Sequence, residues 1–322
     1  MKKVVVISLF LINATNSLFC AADAKPSVPT VAKCRLLVAS ATDQGARNTM
    51  EDYFYNDLEN KFFGVYDGHG GHKIAQWAQE GFHTTLYDAE QEFSDTKIAI
   101  EASFITFNDC IKGQAYNQGT TATIALVRND RLYVANVGDS RAVLSVNGKA
   151  EQASIDHNPH LLLAEKTRIE ANGVWRIKYL SSAPNTIPFL DKANETDKRK
   201  IYTTSRIQRT NIPPRSNCGL SVSRALGDHF FEGAVIANPD IHIRKLDGTE
   251  DFLIIASDGL WTIMSNQAAV DLIKQWLSDG QTLEQCAICL VEKAVRIWEH
   301  DNVTVTIVLF NHDNNVEPSN LN

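Results

Sequence analysis

The chain has 322 residues, of which 44% are hydrophobic and 21% are charged. It is long enough to bury a large core, in one large domain or two small ones, and its composition excludes a disordered polymer. The formal net charge of −7 argues against a general nucleic-acid binder, so any basic surface has to be local.

The N-terminal segment has the residue order of a cleavable export signal. Lys2 and Lys3 precede an apolar stretch at residues 4–12, and Ala22-Asp23-Ala24 follows a polar break. We predict a signal peptide at 1–24, which makes the mature protein secreted, lumenal or periplasmic. The apolar stretch is too short for a stable membrane span. The alternative for the same stretch is a buried first strand.

The periodicity of apolar residues predicts the secondary structure of the rest of the chain. Strands are predicted at residues 53–55, 61–66, 121–127, 132–137, 252–256 and 303–310. Helices are predicted at residues 98–111, 161–171, 268–277 and 283–298. Strands dominate the middle of the chain and the helices occur in groups, so we expect an α+β layered domain and not a doubly wound parallel sheet.

The segment at residues 65–71 combines an acid, glycines and an imidazole where a predicted strand ends. Asp67 would be held at the mouth of that strand, and the glycines that follow permit a sharp turn. His69 can exchange a proton near neutral pH. Taken alone, the segment is either an ordinary Asp-Gly turn or the corner of a catalytic site.

Further acids occur at the ends of other predicted strands. Glu51 and Asp52 precede one strand, Asp258 follows another, and Asp301 precedes the last. Carboxylates gathered in one place repel one another unless protons or cations neutralise them. Because Mg²⁺ and Mn²⁺ prefer oxygen ligands, this pattern predicts a site for hard divalent cations.

The interval 175–218 differs from the rest of the chain. It contains four prolines, and its nine basic residues outnumber its three acidic ones. It is either a solvated variable loop or a flap that attracts a phosphorylated partner.

Cys286 and Cys289 form a Cys-x-x-Cys pair inside the last predicted helix. The chain offers no second pair for zinc, and no predicted strand lies just before them as in a redox motif. We therefore expect both side chains to pack in the core.

Eight short segments carry the residues described above together with their neighbours. They are 47–52, 65–71, 119–122, 137–141, 156–159, 221–228, 257–261 and 301–304. In this order they resemble the metal-dependent type 2C serine/threonine protein phosphatases, from about residue 36 to about residue 311. The resemblance implies an α+β fold, a four-layer α-β-β-α sandwich with two central antiparallel sheets. It also implies a catalytic domain at 25–315, a basic flap insertion at about 175–218 and a C-terminal tail at 316–322.

The resemblance further implies two Mg²⁺ or Mn²⁺ ions per subunit. Asp67 would bridge the ions and Gly68 would offer its carbonyl oxygen. The remaining implied ligands and supporting residues are Glu51, Asp52, Asp258 and Asp301. Asp139 matches the aspartate of a third site, but Thr262 stands where many relatives have another aspartate, so a third ion should bind weakly or not at all.

The reaction implied by the resemblance is hydrolysis of phosphoserine and phosphothreonine in proteins by a water that bridges the two ions. Arg47 would grip the phosphate, and His69 would act as general acid. The expected partners are phosphorylated protein substrates and not nucleic acid, and the expected state is a monomer. Two alternatives are a non-catalytic binding module of the same fold and a phosphatase of small phosphoesters.

Overall fold

The structure is a computed structural model, and it describes residues 5–7, 34–159, 162–171, 173–179, 185–188, 199–202, 205–210, 219–298 and 300–312. The predicted signal peptide, apart from Val5–Ile7, lies outside these residues, as does the tail at 316–322. Within the described ranges, no helix is long and apolar enough to cross a membrane.

The strands are β1 (Val5–Ile7), β2 (Cys34–Asp43), β3 (Asp52–Asp57), β4 (Phe62–His69), β5 (Gly119–Thr120), β6 (Ala122–Arg128), β7 (Arg131–Val137), β8 (Arg141–Val146), β9 (Lys149–Gln152), β10 (Trp175–Tyr179), β11 (Asn185–Pro188), β12 (Arg199–Tyr202), β13 (Ser205–Arg209), β14 (Leu226–Gly227), β15 (Asp240–Lys245), β16 (Glu250–Ala256) and β17 (Val303–His312). The helices are α1 (Lys73–Glu92), α2 (Thr96–Cys110), α3 (Leu163–Glu170), α4 (Asp258–Trp261), α5 (Asn266–Ser278) and α6 (Leu283–Ile297), with a 3-10 turn at His229–Phe231.

Two antiparallel sheets form the centre of the molecule. The first has the strand order β1-β2-β17-β16-β8-β9. The second has the order β14-β5-β4-β6-β7-β15, and β3 pairs with β4 beside that path. Between the sheets, an apolar layer includes Phe54, Phe63, Leu144 and Leu253.

Helices cover the outer face of each sheet. The first sheet packs Ile254 and Ile307 against α4, α5 and α6, and the second packs Phe62 and Ile124 against α1 and α2. Each sheet therefore buries one face on helices and the other on its partner sheet. This confirms the predicted α+β fold with four α-β-β-α layers.

Several elements differ from the sequence predictions. Helix α1 was not predicted, although Ile74, Ala78, Phe82 and Leu86 recur on one face and are fully buried. Strand β4 does not end at Tyr66 but continues through His69, because the short strand β5 pairs with its last residues. Residues 67–69, which we call the Asp67 corner, are consequently part of a hydrogen-bonded sheet.

The last helix carries the predicted capping box, with Thr282 and Gln285 each bonded to the other's backbone. On α6, Cys286 is fully buried in the core, as predicted, and burial raises the pKa of its thiol to about 11. Cys289 is partly exposed, so the prediction of core packing is wrong for this residue. It lies one helical turn further on, beside the polar side chain of Gln281.

The interval 175–218 contains two antiparallel ribbons, β10 with β13 and β11 with β12. Trp175, Ile177 and Ile207 in the first ribbon join α3 in a small apolar cluster that anchors it to the domain. Three of the nine basic residues, Arg176, Arg206 and Arg209, have described side chains. The others lie outside the described residues or are described only in backbone.

Candidate active site

The Asp67 corner is built by the hairpin of β3 and β4. Antiparallel pairing places Asp52 directly opposite Asp67. The Gly68 N–H donates to the carbonyl oxygen of Glu51 at 3.0 Å, and a Cβ on Gly68 would lie 2.6 Å from that oxygen. Glycine is therefore required at position 68 for Glu51 to approach the corner.

The backbone of Asp67 is held by a residue that the sequence reasoning did not single out. The Asp67 N–H donates to the Thr121 hydroxyl at 3.1 Å, and the Thr121 N–H donates to the Asp67 carbonyl at 2.9 Å. The same hydroxyl lies 2.7 Å from Ser140 Oγ, next to Asp139. Thr121 thus ties Asp67 to the turn that carries Asp139.

Asp52 lies behind the other acids. Its side chain is 4% exposed and accepts a 2.7 Å hydrogen bond from Ser257 Oγ, which itself accepts from the Thr304 N–H at 3.0 Å. Ser257 immediately precedes Asp258, so this chain of bonds joins the ends of β3, β16 and β17. Asp52 is therefore buried and hydrogen-bonded to the residue that precedes Asp258.

Asn302 connects the loop of Glu51 to the loop of Asp301. Its side-chain oxygen accepts from the Glu51 N–H at 2.8 Å, and its amide nitrogen donates to the carbonyls of Gln44 and Thr49 at 2.8 and 3.1 Å. A Cβ on Gly259 would lie 2.1 Å from the Asn302 carbonyl oxygen. The observed position of the Asn302 backbone therefore requires glycine at position 259, directly after Asp258.

The acids influence one another electrostatically. Burial, and then the charges of Asp52 and Asp258, raises the pKa of Asp67 well above its ordinary value. Burial, and then the charges of Asp139 and Asp301, does the same for the pKa of Asp258. Burial likewise raises the pKa of Asp139 to about 6 and the pKa of Asp52 to about 6. The structure thus concentrates negative charge that a bound cation would stabilise.

The oxygens present suit Mg²⁺ or Mn²⁺ in kind. Over the part of the chain that the structure describes, however, no three His, Cys, Asp or Glu side chains already form a metal-binding cluster. Hard cations of this type keep several waters and bind directly to few carboxylates, so they do not need such a cluster. The donor chemistry and the raised pKa values fit these ions.

Arg47 lies at the rim of this acidic site. Its Nη2 is 2.8 Å from Asp301 Oδ1, and its Nε donates to the His300 carbonyl at 2.7 Å. The side chain is 53% exposed. The guanidinium therefore contacts the acids and is also open to solvent.

His69 is paired with Asp228, the last residue of the predicted segment 221–228. The His69 Nε2 lies 2.6 Å from Asp228 Oδ2, and Asp228 is 2% exposed. Burial lowers the pKa of His69, but the charge and hydrogen bond of Asp228 outweigh burial and raise it. A Cβ on Gly119 would lie 2.2 Å from Asp228 Oδ2 and 2.6 Å from His69 Nε2, so glycine makes room for the pair.

The sequence-predicted site residues therefore lie at one end of the sandwich. Asp67, Asp139, Asp258 and Asp301 are close enough to alter one another's ionisation, and Arg47 contacts Asp301. Glu51 joins them through its backbone and accepts from the Thr49 hydroxyl at 3.0 Å. Sequence reasoning missed Ser257 and Asn302 because their partners are more than 200 residues away in the chain.

Comparison with known proteins shows which family this chain is similar to. The family model described as protein phosphatase 2C matches residues 39–303. The Arabidopsis thaliana protein named probable protein phosphatase 2C 69 is 34% identical over 84% of this chain and 69% of its own length. An Oryza sativa subsp. japonica protein named probable protein phosphatase 2C 59 is 32% identical over 86% of this chain and 77% of its own length.

Solved structures share the fold. The crystal structure of a serine-threonine phosphatase 2C from Toxoplasma gondii superposes with a TM-score of 0.69 at 22% identity, covering 88% of this chain and 97% of that one. A C. elegans sex determining protein gives a TM-score of 0.69 at 19% identity, covering 84% of this chain and 64% of that one. The fold, the extent of the family match and the similarity of sequence together show that the chain belongs to the protein phosphatase 2C family.

Proposed function

We propose that this protein hydrolyses phosphoserine and phosphothreonine in proteins with the help of two divalent cations, Mg²⁺ or Mn²⁺. The observation that supports this most directly is the set of mutually interacting acids Asp67, Asp139, Asp258 and Asp301, with Arg47 and the His69–Asp228 pair at its edge. Family membership supports metal-dependent phosphatase chemistry on serine and threonine.

The residues proposed to hold the two ions are Glu51, Asp67, the Gly68 carbonyl, Asp258 and Asp301, with Asp52 supporting them from behind. When bound, the ions would lower the pKa of the attacking water and offset negative charge on the phosphoryl oxygens. Asp139 would contribute to a third cation site. A third ion would bind there weakly or not at all, because the neutral Thr262 adds no charge to it.

The chain's own residues supply the remaining functions. Arg47 binds phosphoryl oxygens through its planar guanidinium, which matches them better than a lysine would. His69 gives a proton to the departing serine or threonine oxygen. Asp228, which is bonded to Nε2 of the same ring, stabilises the protonated imidazolium that gives this proton. The pair lies close enough to the acids for the charges of Asp139 and Glu51 to contribute to the raised pKa of His69.

An assay with a phosphothreonine peptide and para-nitrophenyl phosphate tests this proposal. We expect hydrolysis of both in Mn²⁺, loss in a chelator, and loss in Asp67→Asn, whose folding is checked by thermal denaturation. Hydrolysis of the aryl phosphate alone would favour the small-phosphoester alternative. Absence of hydrolysis by a folded, Mn²⁺-supplied protein would favour the binding module.

We further propose that the mature protein is secreted, lumenal or periplasmic, on the basis of the signal-like residues 1–24. In the structure, Val5–Ile7 pairs with β2 at the edge of the first sheet, which is the arrangement that the alternative of a buried first strand requires. N-terminal sequencing of the mature protein, together with cell fractionation, decides between them. A terminus near Lys25 supports export, whereas retention of residues 1–24 overturns it.

A further inference from the structure

The loop at residues 115–118, between α2 and β5, is packed onto the turn that carries His69. The Asn117 carbonyl oxygen lies 2.4 Å from where a Cβ on Gly70 would be, and the Gln118 side chain accepts from the Lys73 N–H at 3.2 Å. The Gln118 carbonyl also accepts from the Asp228 N–H at 2.9 Å. The loop therefore contacts both the segment of His69 and the segment of its partner Asp228.

This loop carries an aromatic side chain that packs against the segment of Asp228. The Tyr116 ring meets the Phe230 ring edge-on at 5.9 Å, and the Tyr116 carbonyl accepts from the Phe230 N–H at 3.2 Å. Phe230 lies two residues after Asp228. We call Tyr116 and Phe230 the aromatic ledge.

Two further side chains, Trp175 and Arg209, contact Phe230 of the aromatic ledge. Phe230 also meets Trp175 edge-on at 6.4 Å, and the Arg209 guanidinium lies 5.2 Å from the Trp175 ring and 5.1 Å from the Phe230 ring. Such ring and cation contacts hold the side chains in a defined position. A preorganised ledge loses little conformational entropy when it binds a ligand.

Tyr116 is nevertheless 54% exposed. A large aromatic side chain that is held in place and open to solvent, on a loop that contacts the segments of His69 and Asp228, is suited to contact with a polypeptide. In the proposed function the departing serine or threonine lies at His69, whose partner is Asp228. The ledge is continuous with Asp228, because Phe230 follows it by two residues and the loop of Tyr116 bonds to the Asp228 N–H.

From this continuity we infer that the aromatic ledge binds an apolar or aromatic side chain of the phosphoprotein, close in sequence to the phosphorylated residue. This inference rests on the Proposed function and adds a specificity determinant to it. Tyr116 acts through substrate binding, so its removal should raise KM for suitable peptides more than it lowers kcat.

The test compares phosphothreonine peptides that carry Phe or Ala at each position from two residues before to two residues after the phosphothreonine. We expect the wild type to prefer Phe at one of these positions by about five- to tenfold in kcat/KM, mainly through KM. Tyr116→Ala should abolish the preference, and Tyr116→Phe should retain it. Ile98→Ala, which alters a 47% exposed side chain on α2 outside the site, should also retain it.

Three results would overturn the inference. They are equal kcat/KM for Phe and Ala peptides in the wild type, an unchanged preference in a folded Tyr116→Ala variant, and an equal loss of preference in Ile98→Ala. Failure of the Proposed function is distinguishable, because the wild type would then hydrolyse none of the peptides in Mn²⁺.

Discussion

The Arg47 guanidinium contacts the Asp301 carboxylate, with Nη2 2.8 Å from Oδ1. The residue proposed to bind phosphate is thus paired with a residue proposed to bind a cation. Because Arg47 is itself a cation, it competes with a metal ion for the same oxygen. On these proposed roles, phosphate binding and metal binding would be linked through this partly exposed ion pair.

Arg47→Gln should bind Mn²⁺ up to about fivefold more tightly, because Asp301 loses a competitor and exposed ion pairs contribute at most about 1 kcal/mol. The same variant should hydrolyse phosphate esters more slowly, because it lacks the phosphate grip. Isothermal titration calorimetry measures the first effect and steady-state kinetics the second. Arg296→Gln, which breaks an exposed pair with Glu292 on α6, is the matched control. Weaker Mn²⁺ binding in Arg47→Gln would contradict the prediction.

Asp228→Asn should lower kcat for a phosphothreonine peptide by about 10- to 100-fold, because the carboxylate stabilises the protonated form of His69. Its removal lowers the pKa of His69, so the alkaline limb of the kcat profile should shift to lower pH. The loss should be smaller for para-nitrophenyl phosphate, whose leaving group needs less protonation. The double variant with His69→Gln should be no slower than His69→Gln alone, since Asp228 acts only through His69. Independent, multiplying losses would show that Asp228 acts elsewhere.

Glu165→Gln should destabilise the fold at neutral pH. Glu165 is 4% exposed and accepts from Arg168 and Arg224, each at 2.8 Å. Burial opposes its ionisation, but the hydrogen bonds from Arg224 and Arg168 outweigh burial and lower the pKa of Glu165 to about 2. The loss in the free energy of unfolding should reach up to about 3 kcal/mol.

This stabilisation has a defined pH dependence. The folded pKa is below the unfolded one, so the contribution is complete above about pH 5 and is lost as the pH falls from about 4.5 toward 2. Urea denaturation of the wild type and Glu165→Gln at several pH values measures the difference. A difference that grows on acidification would contradict the assignment.

Thr262→Asp should create or strengthen a third cation site beside Asp139. The added carboxylate supplies the charge that threonine lacks. Calorimetric titration with Mn²⁺ should show an additional or tighter binding event in the variant, and Thr262→Asn, which adds no charge, serves as the control. An unchanged metal dependence in Thr262→Asp would count against this account of position 262.

Replacement of Lys198, Arg199 and Lys200 by alanine should raise KM for acidic phosphopeptides but not for para-nitrophenyl phosphate. The physical reason is that, as a flap beside the site, the basic insertion at 175–218 would attract negative charge around the phosphorylated residue. The effect should shrink in high salt. Equal changes in KM for both substrates would argue for a general effect on the active site.

Much of the site could be predicted from sequence because its key features are local. Asp67, Gly68 and His69 are consecutive, and a strand followed by glycines is visible in the residues themselves. The layered fold was predictable for a similar reason, since apolar periodicity reports which face of each strand is buried. Helix α1 had such a periodicity in Ile74, Ala78, Phe82 and Leu86, and it was missed amid many polar residues.

The sequence by itself determined the residue types, their order and the match to a family with metal-dependent chemistry. Only the tertiary structure decided which partners hold them: Thr121 on Asp67, Ser257 on Asp52, Asn302 on Glu51 and Asp228 on His69. These partners lie 54 to 251 residues apart along the chain, so no local pattern reports them. They meet because the pairing of two sheets brings distant strand ends to one edge, where buried polar groups have to find hydrogen-bond partners.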